Sequence, residues 1–237
     1  MSNIFNNENL ENQSTEKLFF SNSDLNDSKV DKILSNALTR ADDGELYMEF
    51  CESESFVYDD QRLKSASFDV SKGFGLRAIA GESTGYVHSS DINESALKKA
   101  SSTVNFITKN NNGSFNTSFN QTNKKFYKEL NPINSSLFEE KINTLKKIDE
   151  YARKQNPNVK QVSASLNGEW QVVKIYRPGG IFVEDIRPLV RLYISIVLEK
   201  NGRQENGSRG SGGRVGYNSF LTDDHWQTQV NEAIKQA

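Results

Sequence analysis

Alternating apolar and polar positions predict a strand just before the most glycine-rich stretch of the chain. From Val190 to Leu198 every second residue is apolar, and the positions between them are mostly polar or aromatic. A period of two with many β-branched residues is typical of a strand with one buried face. The dipeptide Asn201-Gly202 follows, which favours a tight turn with positive φ. The pattern therefore predicts a strand that ends in a hairpin turn.

Similar short runs predict further strands earlier in the chain. They lie between Glu45 and His88, separated by turn residues, and in the segments Val159–Leu166 and Trp170–Tyr176. Closely spaced strands with turn signals between them favour an antiparallel meander. Gly73-Phe74-Gly75 lies between two of these runs and is interpreted as a twist or bulge point.

Apolar residues at helical spacing predict four helices. The first runs from about Ser28, a predicted N-cap, to Arg40. The others begin at Asp91, in a capping-box pattern with Glu94, at Ser136, and after Thr222. We therefore predict an α+β fold, in which a curved, mostly antiparallel sheet carries the Asp91 and Ser136 helices on one face.

Two segments depart from this periodicity. Residues 1–27 are rich in Asn, Ser and Glu and are predicted to be loosely ordered, and residues 109–135 are predicted to form an Asn-rich surface loop. The main domain is accordingly predicted over residues 28–220. Residues 221–237 begin a helix without a stop signal, so we expect the chain to continue in a longer parent protein.

Composition narrows the class of protein. The 237 residues carry 29 basic and 31 acidic side chains, a net charge of −2, which argues against a dedicated nucleic-acid binder. The single cysteine, Cys51, favours a reducing cytoplasm. No signal peptide and no apolar run long enough to cross a bilayer is present, so no membrane association is expected.

The segment Arg187–Tyr217 differs from the rest of the chain in charge and in glycine content. Between Arg187 and Arg214 there are six basic and two acidic residues, a local charge of +4, and five glycines fall between Gly207 and Gly216. Glycine is costly to order, so this density indicates close approach of the backbone to another backbone or to an elongated ligand. A binding surface and a mobile hairpin tip are both compatible with the pattern.

Residues suited to catalysis are scarce. The chain has two histidines, His88 and His225, and no zinc-binding His-Glu-x-x-His spacing. Acidic neighbours of Cys51 disfavour a thiolate, so a nucleophilic role is not predicted for it. No catalytic residue and no metal ligand is therefore predicted in this chain.

Several motifs together resemble the N-terminal half of the TldD/PmbA metallopeptidase family. They occur in family order between Asp43 and Phe220: Glu45–Tyr47, Gly73–Tyr86, Ser163–Leu166, Asp185–Leu192 and Gly210–Tyr217. The resemblance implies a zinc-dependent peptidase that acts on unfolded peptides and pairs with a second TldD/PmbA-type subunit, as a hetero- or homodimer. It also implies that zinc binds in a C-terminal catalytic domain, which the chain ends before reaching.

The resemblance implies that this part of the molecule shapes the peptide channel and the subunit interface. As the candidate substrate-binding residues we predict the glycine-rich segment and the residues that flank it: Arg209, Gly210, Ser211, Gly212, Gly213, Arg214 and Tyr217. Its backbone could pair with an extended peptide, and its cations could hold a carboxylate. The alternative is a stand-alone regulatory module that binds a TldD/PmbA peptidase subunit.

Overall fold

The computed structural model describes residues 15–109, 113 and 126–237. Its six strands are β1 Asp43–Asp59, β2 Arg62–Ala80, β3 Ser83–Ser89, β4 Val159–Arg177, β5 Ile181–Lys200 and β6 Arg203–Gly213. They form one antiparallel sheet in the order β3-β2-β1-β4-β5-β6. The predicted α+β class and the antiparallel sheet are confirmed.

Five helices accompany the sheet: α1 Thr15–Phe20, α2 Asp27–Ala37, α3 Glu94–Ile107, α4 Phe138–Gln155 and α5 Asp223–Gln236. Short 3₁₀ turns occupy Ile133–Ser135 and Tyr217–Ser219. Helix α1 falls in the segment that we predicted to be loosely ordered, and its Phe19 and Phe20 are buried. Most of the predicted Asn-rich loop lies outside the described residues.

Three helix starts differ from the prediction. Helix α4 has Leu137 as its N-cap, one residue after the predicted Ser136. Asn26 is the N-cap of α2, because its side-chain oxygen accepts from the Lys29 N–H at 2.9 Å. Asn93 caps α3 by accepting from the Ala96 N–H at 2.8 Å. The predicted caps were wrong because Ser28 lies inside α2 and Asp91 lies three residues before the first residue of α3. An asparagine directly precedes each helix, and asparagine is an equally good N-cap.

The longest strands are continuous where the sequence predicted interruptions. The two predicted strands before and after Asn167 are one strand, β4, and Gly73-Phe74-Gly75 lies inside β2. At Gly75 a Cβ would lie only 2.6 Å from the Tyr86 hydroxyl, so the glycine makes room for a side chain of the neighbouring strand β3.

Two hairpins close with the same kind of turn. Asp60 and Gln61 join β1 to β2 with φ values of 46° and 66°, and Asn201 and Gly202 join β5 to β6 with 53° and 80°. Positive φ at both central residues is the backbone of a type I′ turn, which matches the twist of the flanking strands. The turn predicted at Asn201-Gly202 is confirmed.

The chain divides into two compact units, and the divisions fall inside four of the strands. The first unit comprises Met1–Cys51, Ser71–Lys125 and Val172–Ile186; the second comprises Glu52–Val70, Phe126–Gln171 and Arg187–Ala237. The buried apolar residues of the first unit include Val30, Leu34, Leu46, Met48, Leu76, Leu97 and Val104.

A buried lysine lies within the first unit. Lys174 is 1% exposed, and its Nζ lies 2.8 Å from Asp27 Oδ1 and 2.8 Å from Glu184 Oε1. Tyr176 also donates to Asp27 at 2.6 Å, and burial together with this bond raises the pKa of the Tyr176 hydroxyl. The cluster ties the start of α2 to strands β4 and β5.

The second unit has a contiguous apolar core. Apolar side chains from α4, α5 and strands β1, β4 and β5 meet there, among them Phe56, Leu145, Ile148, Leu166, Leu192, Ile194, Trp226 and Val230. The period-two face that the sequence predicted for β5 is this buried face.

Candidate functional site

The glycine-rich segment is an edge strand. Gly207, Gly210, Gly212 and Gly213 all lie in β6, which is the last strand of the sheet and, among the described residues, pairs with β5 alone. The register places Gly210 opposite Tyr193 and Gly212 opposite Arg191. The part of the glycine-rich segment before Arg214 is therefore strand, and the strand ends at Gly213.

Helix α5 covers one face of β6, and Gly207 permits that contact. A Cβ at Gly207 would lie 1.9 Å from the carbonyl oxygen of Ala233 and 2.7 Å from the Ala237 nitrogen. Any side chain would therefore push the last turn of α5 away from the strand. This glycine is explained by the approach of a helix and needs no ligand.

Polar side chains extend the same contact along β6. Arg209 Nε donates to Glu232 Oε2 at 2.8 Å, and Ser211 Oγ lies 2.9 Å from His225 Nε2. The ring of Phe220 packs edge-on against His225 with centroids 5.1 Å apart. Two of the predicted substrate-binding side chains, those of Arg209 and Ser211, thus contact α5.

The opposite face of β6 carries no side chain at its two exposed glycines. At Gly210 a Cβ would lie 3.4 Å from Tyr193 Cδ2 and 3.8 Å from Arg191 Nη2, which is ordinary van der Waals contact. The Arg191 guanidinium carbon is 5.7 Å from the centroid of the Tyr193 ring. Both side chains therefore lean across Gly210 toward the edge of the sheet.

The free edge of β6 presents backbone groups at alternate residues. The Ser208 N–H donates to Gln236 Oε1 at 3.1 Å, so it points away from β5. In an antiparallel pair, the residues whose backbone groups face the partner strand alternate with residues whose groups face away. The backbone N–H and C=O of Gly210 and Gly212 therefore also face outward, beyond the point that Gln236 covers.

The last two predicted site residues lie beyond β6. Arg214 donates to the Pro188 carbonyl at 3.4 Å, and its guanidinium carbon lies 5.7 Å from the Tyr127 ring centroid. Tyr217 is fully buried in the core of the second unit. In this structure Tyr217 therefore supports the segment from inside, whereas Arg214 is exposed.

A buried lysine accompanies Tyr217. Lys141 Nζ lies 4.7 Å from the Tyr217 ring centroid, 2.6 Å from Glu54 Oε1 and 2.8 Å from the Ile133 carbonyl oxygen. The Tyr217 hydroxyl has no hydrogen-bond partner in the described part of the chain. Burial, with a smaller contribution from Glu54, raises the pKa of that hydroxyl.

The site as built contains five residues that sequence reasoning missed: Arg191, Tyr193, His225, Glu232 and Gln236. For the first two a signal existed, because a two-residue turn at Asn201-Gly202 fixes the register of the hairpin and sets Tyr193 opposite Gly210. The contacts of α5 with β6 had no comparable signal in the sequence.

The described ranges contain neither a cluster of metal-binding side chains nor a membrane-spanning helix. Over residues 15–109, 113 and 126–237, no group of three or more His, Cys, Asp or Glu side chains is arranged to hold a metal ion. The zinc that the family resemblance implies therefore has no fitting ligand set among these residues. Among the helices described, none is long and apolar enough to cross a membrane.

Comparisons with known proteins agree along most of the chain. The family models "PmbA/TldA metallopeptidase domain 1" and "PmbA/TldA metallopeptidase central domain" match residues 44–104 and 131–237. The chain is 37% identical over 203 residues to a "Metalloprotease TldD homolog" of Haemophilus influenzae, covering 83% of this chain and 42% of that protein. A homolog of the same name from Buchnera aphidicola subsp. Schizaphis graminum is 32% identical over 212 residues, which cover 89% of this chain and 44% of that protein.

Solved structures share the fold at low sequence identity. A Bacteroides thetaiotaomicron protein described as a candidate modulator of DNA gyrase superposes with a TM-score of 0.68 at 14% identity, over 90% of this chain and 50% of that one. TldE from Thermococcus kodakarensis superposes with a TM-score of 0.60 at 15% identity, over 88% of this chain and 46% of that one. The chain thus spans a little under half the length of the curated relatives it matches. The predicted boundaries at residues 27 and 220 stay predictions.

Proposed function

Because the chain belongs to the TldD/PmbA metallopeptidase family, we propose that it holds unfolded peptides in extended form for a zinc-dependent peptidase, without supplying the catalytic residues. The observation that carries this proposal is the free edge of β6, where the backbone groups of Gly210 and Gly212 face outward. An extended peptide can add to such an edge as a further strand.

Two features of β6 support strand addition. The two exposed glycines leave the backbone open to close approach, since neither carries a side chain. Helix α5 braces the other face through Arg209 and Ser211, so the strand is held in place before a peptide arrives. A preorganised edge loses less conformational entropy on binding than a mobile loop would.

Backbone pairing suits a substrate without fixed sequence. Each hydrogen bond of an added strand uses backbone groups that every residue of a peptide except proline possesses, and a folded protein has already paired most of its own. The edge of β6 therefore selects for extended, unpaired chain. This selectivity is the one that a peptidase for unfolded peptides requires.

The proposal is tested by removing one outward backbone donor. Gly210→Pro eliminates the N–H at Gly210, and proline is tolerated at positions of an edge strand whose N–H faces solvent. Gly210→Ala keeps the N–H and fits, because a Cβ there meets Tyr193 at 3.4 Å. Binding of a fluorescent, unstructured peptide is measured by anisotropy for both variants.

We expect Gly210→Ala to bind within about twofold of the parent chain, and Gly210→Pro to bind about fivefold more weakly, the effect of one hydrogen bond. Circular dichroism spectra serve as the control that both variants are folded. The peptide should also be recovered intact after incubation with zinc. Equal binding by the two variants, or cleavage abolished by a chelator, would contradict the proposal.

The remaining expectations from the family resemblance stay predictions. They are the second TldD/PmbA-type subunit, the zinc-binding C-terminal domain and the cytoplasmic compartment. None of them is needed for the peptide-binding test, which uses this chain alone.

A further inference from the structure

The face of β6 opposite α5 carries a side-chain pair with a defined chemical preference. Arg191 is exposed and stacks on Tyr193, whose side chain is 36% exposed. Both side chains reach Gly210, where a side chain on β6 would otherwise separate them from the edge of the sheet. We infer that Arg191 and Tyr193 form a subsite that takes an acidic side chain of a peptide paired with β6. This inference rests on the proposed function.

The distances allow direct contact. Neighbouring strands lie about 4.8 Å apart, so a residue paired opposite Gly210 would set its Cβ about 5 Å from the position of the missing Gly210 Cβ. The guanidinium nitrogen Nη2 of Arg191 lies 3.8 Å from that same position. The carboxylate of a Glu or Asp at this point of the peptide can therefore reach the guanidinium.

The formal charge on the β5 and β6 part of this face favours an acidic ligand. The positions of β5 that share it between residues 189 and 197 are Leu189, Arg191, Tyr193, Ser195 and Val197, and those of β6 between 206 and 212 are Asn206, Ser208, Gly210 and Gly212. Arg191 supplies the one formal charge among these nine positions. In the described part of the chain Arg191 has no carboxylate partner, so its charge is available to a ligand.

Tyr193 restricts the orientation of the Arg191 guanidinium. Its ring lies against the guanidinium and beside Gly210, so it limits where the arginine can point. A planar guanidinium held in this way can offer two parallel N–H donors to one carboxylate, which a mobile lysine cannot. The subsite therefore discriminates Glu or Asp from Gln or Asn, and it disfavours Lys.

The test uses three unstructured peptides that are identical except for one central residue, which is Glu, Gln or Lys. Affinities are measured by fluorescence anisotropy for the parent chain and for Arg191→Met, which keeps an unbranched side chain without the charge. Arg203→Met is the matched control, because Arg203 is an exposed cation at the start of β6 and forms an ion pair with Glu205.

We expect the Glu peptide to bind the parent chain about fivefold more tightly than the Gln peptide, as a charge-assisted hydrogen bond allows, and the Lys peptide to bind most weakly. In Arg191→Met the preference for Glu should disappear while the Gln peptide binds within about twofold of its parent affinity. Arg203→Met should keep the preference.

Three results would overturn the inference. The first is equal binding of the Glu and Gln peptides to the parent chain, and the second is a preference that survives in Arg191→Met. The third is a preference lost equally in Arg203→Met, because the charge effect would then be diffuse. In each case the Gln peptide still tests the proposed function separately, through its sensitivity to Gly210→Pro.

Discussion

The sheet of the second unit ends in two edge segments of opposite character. Residues 62–70 of β2 are all exposed, and they carry side chains on both faces. Strand β6 instead has one face under α5 and glycines at positions 210 and 212 on the other face. The β2 edge carries many side chains, whereas the β6 edge exposes backbone at Gly210 and Gly212 on a strand that α5 holds in place.

The difference indicates whether each edge can pair with an added strand. Arg62, Lys64 and Asp69 place charges along the β2 edge, and edge charges, especially lysines, oppose pairing with another chain. Strand β6 has no charged side chain on its outer face at positions 206–212. The comparison teaches that exposure alone does not mark a peptide-binding edge. Such an edge is distinguished by an element packed against one face of the strand and by the absence of blocking side chains on the other face.

The two hairpins also rest on different supports. The β1–β2 hairpin is anchored through β1, whose Phe56 and Tyr58 are buried and whose Glu54 pairs with the buried Lys141. The β5–β6 hairpin is anchored through Gly207, which lies directly under α5. Substitutions at these supports should therefore separate the two edges.

The largest effect is expected for Glu54→Gln. Lys141 is 2% exposed, and it would keep the Ile133 carbonyl but lose its counter-charge. Removing one partner of a buried ion pair costs about 3–5 kcal/mol, because the other charge stays buried without compensation. Both tryptophans, Trp170 and Trp226, belong to the second unit, so their fluorescence during urea unfolding reports on this unit.

The double variant Glu54→Gln with Lys141→Met is the matched control. It removes both charges, so it should recover most of the loss, because no uncompensated charge stays buried. A Glu54→Gln chain that unfolds at the same urea concentration as the parent would show that the pair does not anchor the first hairpin.

A smaller loss is expected for Gly207→Val. The added side chain meets backbone atoms of the last turn of α5, which cannot rotate away as a side chain could. Forcing extra atoms into a packed contact costs about 1–3 kcal/mol. In the same urea experiment Ser67→Val, on the exposed β2 segment, should change stability by less than about 0.5 kcal/mol. Equal effects of the two substitutions would remove the structural contrast between the edges.

Much of the β5–β6 hairpin could be predicted from the sequence. Alternation fixed the buried face of β5, and Asn201-Gly202 fixed the turn because few dipeptides adopt positive φ at both positions. The glycine-rich segment was correctly associated with close backbone approach. At Gly207, however, the approaching backbone is that of helix α5. At Gly210 a Cβ would make only ordinary contacts, on the face of β6 opposite α5.

The remaining features depend on contacts between residues distant in sequence. Lys141 and Lys174 carry no local sign of burial, because lysine is usually exposed and each is buried only through carboxylates far along the chain. Tyr217 was predicted to touch a ligand, and its position in the core depends on packing beside Gly168 and Lys141. Periodicity cannot reveal such pairings.

The central claim, that β6 binds peptide through its outward backbone groups, is tested most directly by amide hydrogen exchange followed by NMR with and without a saturating unstructured peptide. Exchange at the Gly210 and Gly212 amides should slow about tenfold or more on binding, because these groups gain hydrogen bonds. The amides of Arg209 and Ser211, which alternation directs toward β5, and those of residues 62–70 should change little. A chain with bound peptide in which Gly210 and Gly212 exchange at their free rates would contradict the claim.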